Sequence, residues 1–117
     1  MKPATPMTVR IFHNTTTDDS GRHVGYFGYE PDHTLTEVFA FQGTFATAED
    51  AAERAFWLFN VGDDTRQPEG AHPDAVAYRS RGLRSLSVGD VVLAGDVALA
   101  CASRGWTRIS TPDAATN

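Results

Sequence analysis

Val91-Val92-Leu93-Ala94-Gly95-Asp96-Val97-Ala98-Leu99-Ala100-Cys101 consists of two short apolar runs flanking a Gly-Asp pair. Valine-rich runs of this length favour the pleated backbone, and a two-residue connection containing glycine supplies the left-handed conformation of a tight hairpin turn. Such a loop also fixes the register: Ala94 opposes Val97, Val92 opposes Leu99 and Asp90 opposes Cys101. One face then carries Val92, Val97, Leu99 and Cys101, and the other carries Val91, Leu93, Ala98 and Ala100. Both faces are apolar. The hairpin is therefore predicted at the centre of a sheet covered on both sides, rather than at a half-wet edge.

On either side of the hairpin the same rules extend the sheet. Ser103-Arg104-Gly105 reads as a turn, after which residues 106–109 return as a third strand. The β-branched and aromatic run 8–13 predicts a first strand, and the alternation over 35–45 predicts another. Residues 14–22 are turn chemistry. Residues 23–29 are aromatic but interrupted by Gly25 and Gly28, which suits an irregular strand or a packed loop. Their Tyr26, Phe27 and Tyr29 read either as core filling or as a stacking platform for bases.

A helix is predicted over 48–60, with Thr47 as N-cap and Glu49, Asp50 and Glu53 near the positive end of the helix dipole. Ala52, Ala55, Phe56 and Phe59 form one apolar stripe, which Trp57 and Leu58 widen, so the helix is expected to have two apolar neighbours. The polar run 62–73 reads as a surface loop, and residues 1–6 and 111–117 read as tails. The expected fold is α+β: a mostly antiparallel sheet of about five strands with one main helix packed on it.

The 117 residues suffice for a single domain, 1–117. Ten basic against fifteen acidic side chains leave a net charge of −5, which excludes a globally basic nucleic-acid coat. A single cysteine excludes an internal disulfide framework, and no apolar run reaches the ~20 residues of a membrane span. Without the apolar core of a signal peptide, the expectation is a cytoplasmic domain with no membrane partner. The charge is uneven. Residues 1–74 carry five basic and twelve acidic side chains, whereas residues 75–117 carry five arginines and three aspartates.

The locally basic part holds the residues best suited to chemistry. In Arg84-Ser85-Leu86-Ser87-Val88-Gly89-Asp90, the hydroxyls of Ser85 and Ser87 and the backbone N–H groups near Gly89 could cradle an anion, with Arg81 and Arg84 adding charge-assisted bonds. The same residues also read as a turn whose Ser and Asp side chains satisfy the backbone. Arg79, Arg81 and Arg84, with Tyr78 beside them, could hold a phosphate backbone or an acidic partner, or could form a solvated face paired with acids. In an extended segment Arg79 and Arg81 would point the same way. His13, His23 and His33 are spaced ten apart and His72 precedes Pro73; none has zinc-ligand spacing, so no metal or cofactor is expected. His72 suits a loop-shaping role, and general acid–base work by His23 or His72 near a carboxylate stays open. Cys101 reads as a small hydrophobe in the hairpin.

Phe56, Phe59 and Asn60, then His72-Pro73 and Tyr78, then Arg84-Ser85-Leu86-Ser87-Val88-Gly89-Asp90-Val91-Val92 and Gly105-Trp106 resemble the YodL-like domain over residues 48–109. The chain departs from that pattern in a longer loop between Asn60 and His72 and in an insertion at 79–83. Its first 45 residues are not covered and look like a stand-alone actinobacterial variant. The resemblance implies a setting in plasmids, phages and conjugative elements and transfers no catalytic residue.

The leading functional expectation is a non-enzymatic accessory or interaction domain with an unidentified protein partner. Its candidate surface is His72, Tyr78, Arg81, Arg84, Ser85, Ser87 and Asp90. A small nucleic-acid-binding module, with a turn-to-strand segment similar to PUA and ASCH barrels, is the alternative. A small hydrolase or transferase comes third.

Overall fold

The computed structural model describes residues 4–62, 64, 66 and 70–112, apart from the side chain of Tyr26. Five strands form one antiparallel sheet: β1 (Thr5–Asn14), β2 (Leu35–Phe45), β3 (Val91–Ala94), β4 (Val97–Cys101) and β5 (Trp106–Ile109), in the order β2-β1-β3-β4-β5. Two helices, α1 (Ala48–Val61) and α2 (Pro73–Ser80), complete the α+β fold, with α1 the main one packed on the sheet. Among the described residues no helix is long and apolar enough to cross a membrane.

The hairpin pairs in the expected register, Val92 with Leu99 and Ala94 with Val97. The Cys101 N–H donates to the Asp90 carbonyl at 2.8 Å, which extends the pairing to the residue before β3. Its two faces feed two cores. Val92, Ala94 and Leu99 join Val9, Ile11, Phe39 and Phe41 under the helices, where Phe59 stacks on Tyr78 at 4.2 Å and meets Phe39 and Phe41 edge to face. Val91, Leu93, Ala98 and Ala100 pack with Phe12 on the opposite face, where Tyr29, Leu35 and Ile109 cover them. The apolar character of both faces is thereby accounted for.

α1 begins as its sequence dictates, with Thr47 Oγ1 accepting the Asp50 N–H at 3.0 Å. Its buried stripe differs in one member: Ala52, Ala55 and Phe59 are buried, while Phe56 stands at the margin and meets Trp106 edge to face at 6.3 Å. The second apolar neighbour expected for α1 is α2, whose Ala75 and Tyr78 enter the same core.

Helix α2 corrects the extended reading of residues 79–81. His72 Nδ1 accepts the Asp74 N–H at 3.1 Å as N-cap, and Pro73 occupies the first turn, where its missing N–H costs nothing. Gly82, at φ +73°, stops the helix with its N–H on the Arg79 carbonyl. Eight residues with two buried positions are too short for a readable period. On a helix, Arg79 and Arg81 diverge rather than sharing a side.

Two further readings shift. β1 starts at Thr5, so part of the expected N-terminal tail is sheet, paired with Phe45 and Thr44 of β2. Residues 25–27 form a 3-10 turn in place of a strand, and Phe27 is 91% exposed, against its core-filling reading. The expected polar loop at 62–73 and the C-terminal tail lie partly outside the described residues. Between β1 and β2, Phe12 pairs with Glu37 and Ile11 with Phe39, leaving Val38 as the extra residue of a bulge.

Candidate functional site

The residues that the sequence singles out meet at the end of the sheet where β1 finishes and β3 begins. Asp90 is 1% exposed, and its carboxylate accepts four hydrogen bonds. Oδ1 takes the Asn14 N–H at 2.8 Å and the Arg84 guanidinium at 2.8 Å; Oδ2 takes the Ser87 N–H at 2.9 Å and the same guanidinium at 2.6 Å. The bidentate pair joins the 84–90 segment to itself, and Asn14 ties it to β1. A carboxylate with both oxygens occupied in this way is a structural anchor rather than an available base.

The turn before it explains its glycine. Gly89 sits at φ +92°, and a Cβ there would lie 2.1 Å from the Gly25 carbonyl oxygen. Only glycine allows both the left-handed backbone and this approach. Asn14 closes the junction from the other side: its Nδ2 donates to the Gly89 carbonyl at 3.2 Å and to His33 Nδ1 at 2.9 Å, while its Oδ1 accepts the Thr16 N–H. The Asp90 anchor thus fastens the 15–34 segment and the 3-10 turn as well as the sheet.

A second layer lies beneath. Tyr78, buried on α2, donates its hydroxyl proton to the Arg84 carbonyl at 2.5 Å. With that single proton committed, the 2.6 Å contact to His13 Nε2 requires the histidine to be the donor. Burial, with the Arg84 guanidinium beside it, holds the His13 imidazole below its ordinary pKa, so the neutral ring with its proton on Nε2 is the form the site favours. Burial and the Asp90 charge push the Tyr78 phenol upward in the same way.

The remaining candidates are distributed around this core. Ser85 Oγ accepts from Arg79, whose guanidinium also donates to the carbonyls of Phe59 and Leu83. Ser87 Oγ accepts from Arg84 at 3.3 Å. Leu86 is clamped by Asn60, whose Oδ1 accepts its N–H at 2.8 Å and whose Nδ2 donates to its carbonyl at 3.2 Å. Arg81 lies over the Phe39 ring at 5.0 Å and donates to the carbonyl of the bulged Val38, away from the Asp90 cluster. His72 caps α2 and does not join the cluster. Tyr78, Arg84, Ser85, Ser87 and Asp90 are therefore brought together, whereas His72 and Arg81 serve other junctions.

His13, Asn14 and Gly25 belong to the cluster and were not among the residues the sequence singled out. The signal for the first two is a polar pair closing an apolar strand, which reads equally well as the start of a turn. His23 lines a void of about 10 Å³ with Asn14, Gly25, Arg84, Val88 and Asp90, room for one water at most. Among the described residues no group of three His, Cys, Asp or Glu side chains is placed to hold a metal ion. Comparisons with protein-family models, curated proteins and solved structures find no match to this chain. Its class thus rests on its own geometry, an α+β domain whose sheet end is locked by a buried aspartate paired with a half-buried arginine.

Proposed function

We propose that this chain is a non-enzymatic accessory or interaction domain, in the mobile-element setting that the YodL-like resemblance implies. The observation that carries the reading is the Phe27 side chain, 91% exposed on a hydrogen-bonded turn. The turn is closed by the Phe27 N–H on the Val24 carbonyl at 3.1 Å and the Gly28 N–H on the Gly25 carbonyl at 2.9 Å. Buried Gly25 seats it against Gly89 and Asn14. A hydrogen-bonded turn leaves little backbone entropy to be lost when a partner pocket closes over its aromatic side chain, and exposed aromatics of this kind are common interface anchors.

The polar cluster supports the same reading from the other side. Asp90, Ser85 and Ser87 are committed to holding segments of the chain together, and Arg79, Arg81 and Arg84 donate to carbonyls, a hydroxyl or the carboxylate. These contacts draw support away from both the nucleic-acid and the hydrolase readings, which need such groups facing a ligand.

The test compares wild type with Phe27→Ala in capture from cells that carry the gene, followed by reconstitution with the purified captured protein. Binding weakened at least about tenfold, with unchanged circular dichroism and melting, is the expected result. Equal affinity for both proteins refutes the reading. A salt-sensitive shift with RNA or DNA, lost in Arg81→Ala, would favour the nucleic-acid alternative instead.

A further inference from the structure

Among the described residues three rings are covered by the chain's own guanidinium groups: Arg10 over Phe12 at 5.5 Å, Arg54 over Trp57 at 4.7 Å and Arg81 over Phe39 at 5.0 Å. Phe56 and Trp106 form a different case. Their planes meet at 86° with centroids 6.3 Å apart, so the two π faces bound a corner, and among the described residues no cation of the chain occupies it. Glu53, one turn before Phe56 on α1, accepts the Trp106 indole N–H through Oε1 at 2.9 Å, which fixes both the indole and the carboxylate. Glu53 and Phe56 are both exposed, so the corner is open to solvent.

The corner continues into a notch of about 170 Å³ lined by Glu53, Phe56, Cys101, Ser103, Gly105 and Trp106. That is below the ~300 Å³ at which small-molecule pockets begin and suits the end of one side chain. At its floor the Cys101 thiol is buried and pushed up to about 11, so it adds no competing negative charge at neutral pH. Two aromatic faces at right angles with one carboxylate at the rim attract a positive, weakly hydrated group of low charge density.

We propose that this notch binds an alkylammonium cation, with Phe56 and Trp106 as its walls and Glu53 as its counter-charge. The notch shares no residue with the Asp90 cluster or the Phe27 turn, so it stands or falls independently of the interaction reading above. The alkylammonium can come from a methylated lysine on a partner chain or from a free choline-like molecule; both present the same head group.

The experiment is an NMR titration of the full chain with tetramethylammonium chloride, following the Trp106 indole N–H and the Ser103 and Gly105 amides. A neutral isostere, 3,3-dimethylbutanol, is titrated in parallel. Saturable shifts with the cation and not with the alcohol are expected. Glu53→Gln, which keeps an oxygen for the indole N–H, and Phe56→Leu, which keeps apolar volume without a π face, should each weaken binding roughly three- to tenfold. Both positions are exposed, and melting curves check that the variants fold. Equal shifts with the neutral isostere, or an affinity unchanged in both variants, overturn the proposal. A trimethyllysine peptide binding more tightly than choline assigns the source to a partner chain; the reverse order assigns it to a free cation.

Discussion

Replacing Asp90 tests the central claim that its carboxylate locks the fold. In Asp90→Ala the N–H groups of buried Asn14 and half-buried Ser87 lose their acceptor, at about 1–3 kcal/mol each. The Arg84 side chain is 38% exposed, so its freed charge rehydrates in part and the ion-pair share is discounted accordingly. The predicted loss is about 3–5 kcal/mol, a large part of the ~5–15 kcal/mol typical of a domain. Asp90→Asn keeps the volume but puts an NH₂ where one main-chain N–H and one guanidinium N–H already point. Donors then face a donor, and the loss should still reach about 2–4 kcal/mol. Urea unfolding followed by tryptophan fluorescence and circular dichroism measures both variants. Hydrogen exchange should show faster opening at Asn14 and Ser87 before the rest of the sheet. If both variants stay within ~1 kcal/mol of wild type at an unchanged m-value, the carboxylate is not the lock and the argument fails.

Acid should weaken the fold through His13. Its folded pKa lies below the unfolded value near 6.5, so the unfolded chain takes up the proton first. Its contribution is complete above about pH 6.5 and falls below it, by at most about 1.4 kcal/mol per pH unit, until the folded protein also protonates. Stability against pH for wild type and His13→Gln tests this; parallel curves between pH 5 and 7 would count against it. Tyr78→Phe leaves the Arg84 carbonyl and the His13 N–H without their shared hydroxyl and should cost about 1–3 kcal/mol by thermal or urea unfolding. Gly89→Ala combines a left-handed backbone with a collision against the Gly25 carbonyl, so it should lower the melting temperature more than Gly21→Ala, which has open space.

The hairpin, the strand at 35–45 and the main helix were legible because each rests on local chemistry. The Gly95-Asp96 turn sets a register, Thr47 caps α1, and alternation marks a pleated surface. Eight residues of α2 left no period to read, and a bulge at Val38 is invisible until Ile11 and Phe12 have found their partners. The candidate site was half legible. Arg84, Ser87 and Asp90 lie six positions apart or fewer, so their mutual bonds are a local matter. His13 reaches Tyr78 and Asn14 reaches Asp90 across more than 60 residues of chain, a distance that no spacing rule spans.

Sequence by itself determined that residues 91–101 form a hairpin apolar on both faces, and hence that something must cover each side. It did not determine what covers them, because apolar faces accept any surface of suitable shape. Tertiary structure decided that α1 and α2 take one face and the 15–34 segment lends Tyr29 to the other. It also decided that the arginines of the basic 79–90 segment are aimed at acceptors of the chain itself. A guanidinium needs fixed acceptors within about 3 Å, and here the Asp90 carboxylate and chain carbonyls from distant elements provide them. Net charge could not foresee that, since it counts side chains and not the atoms they face.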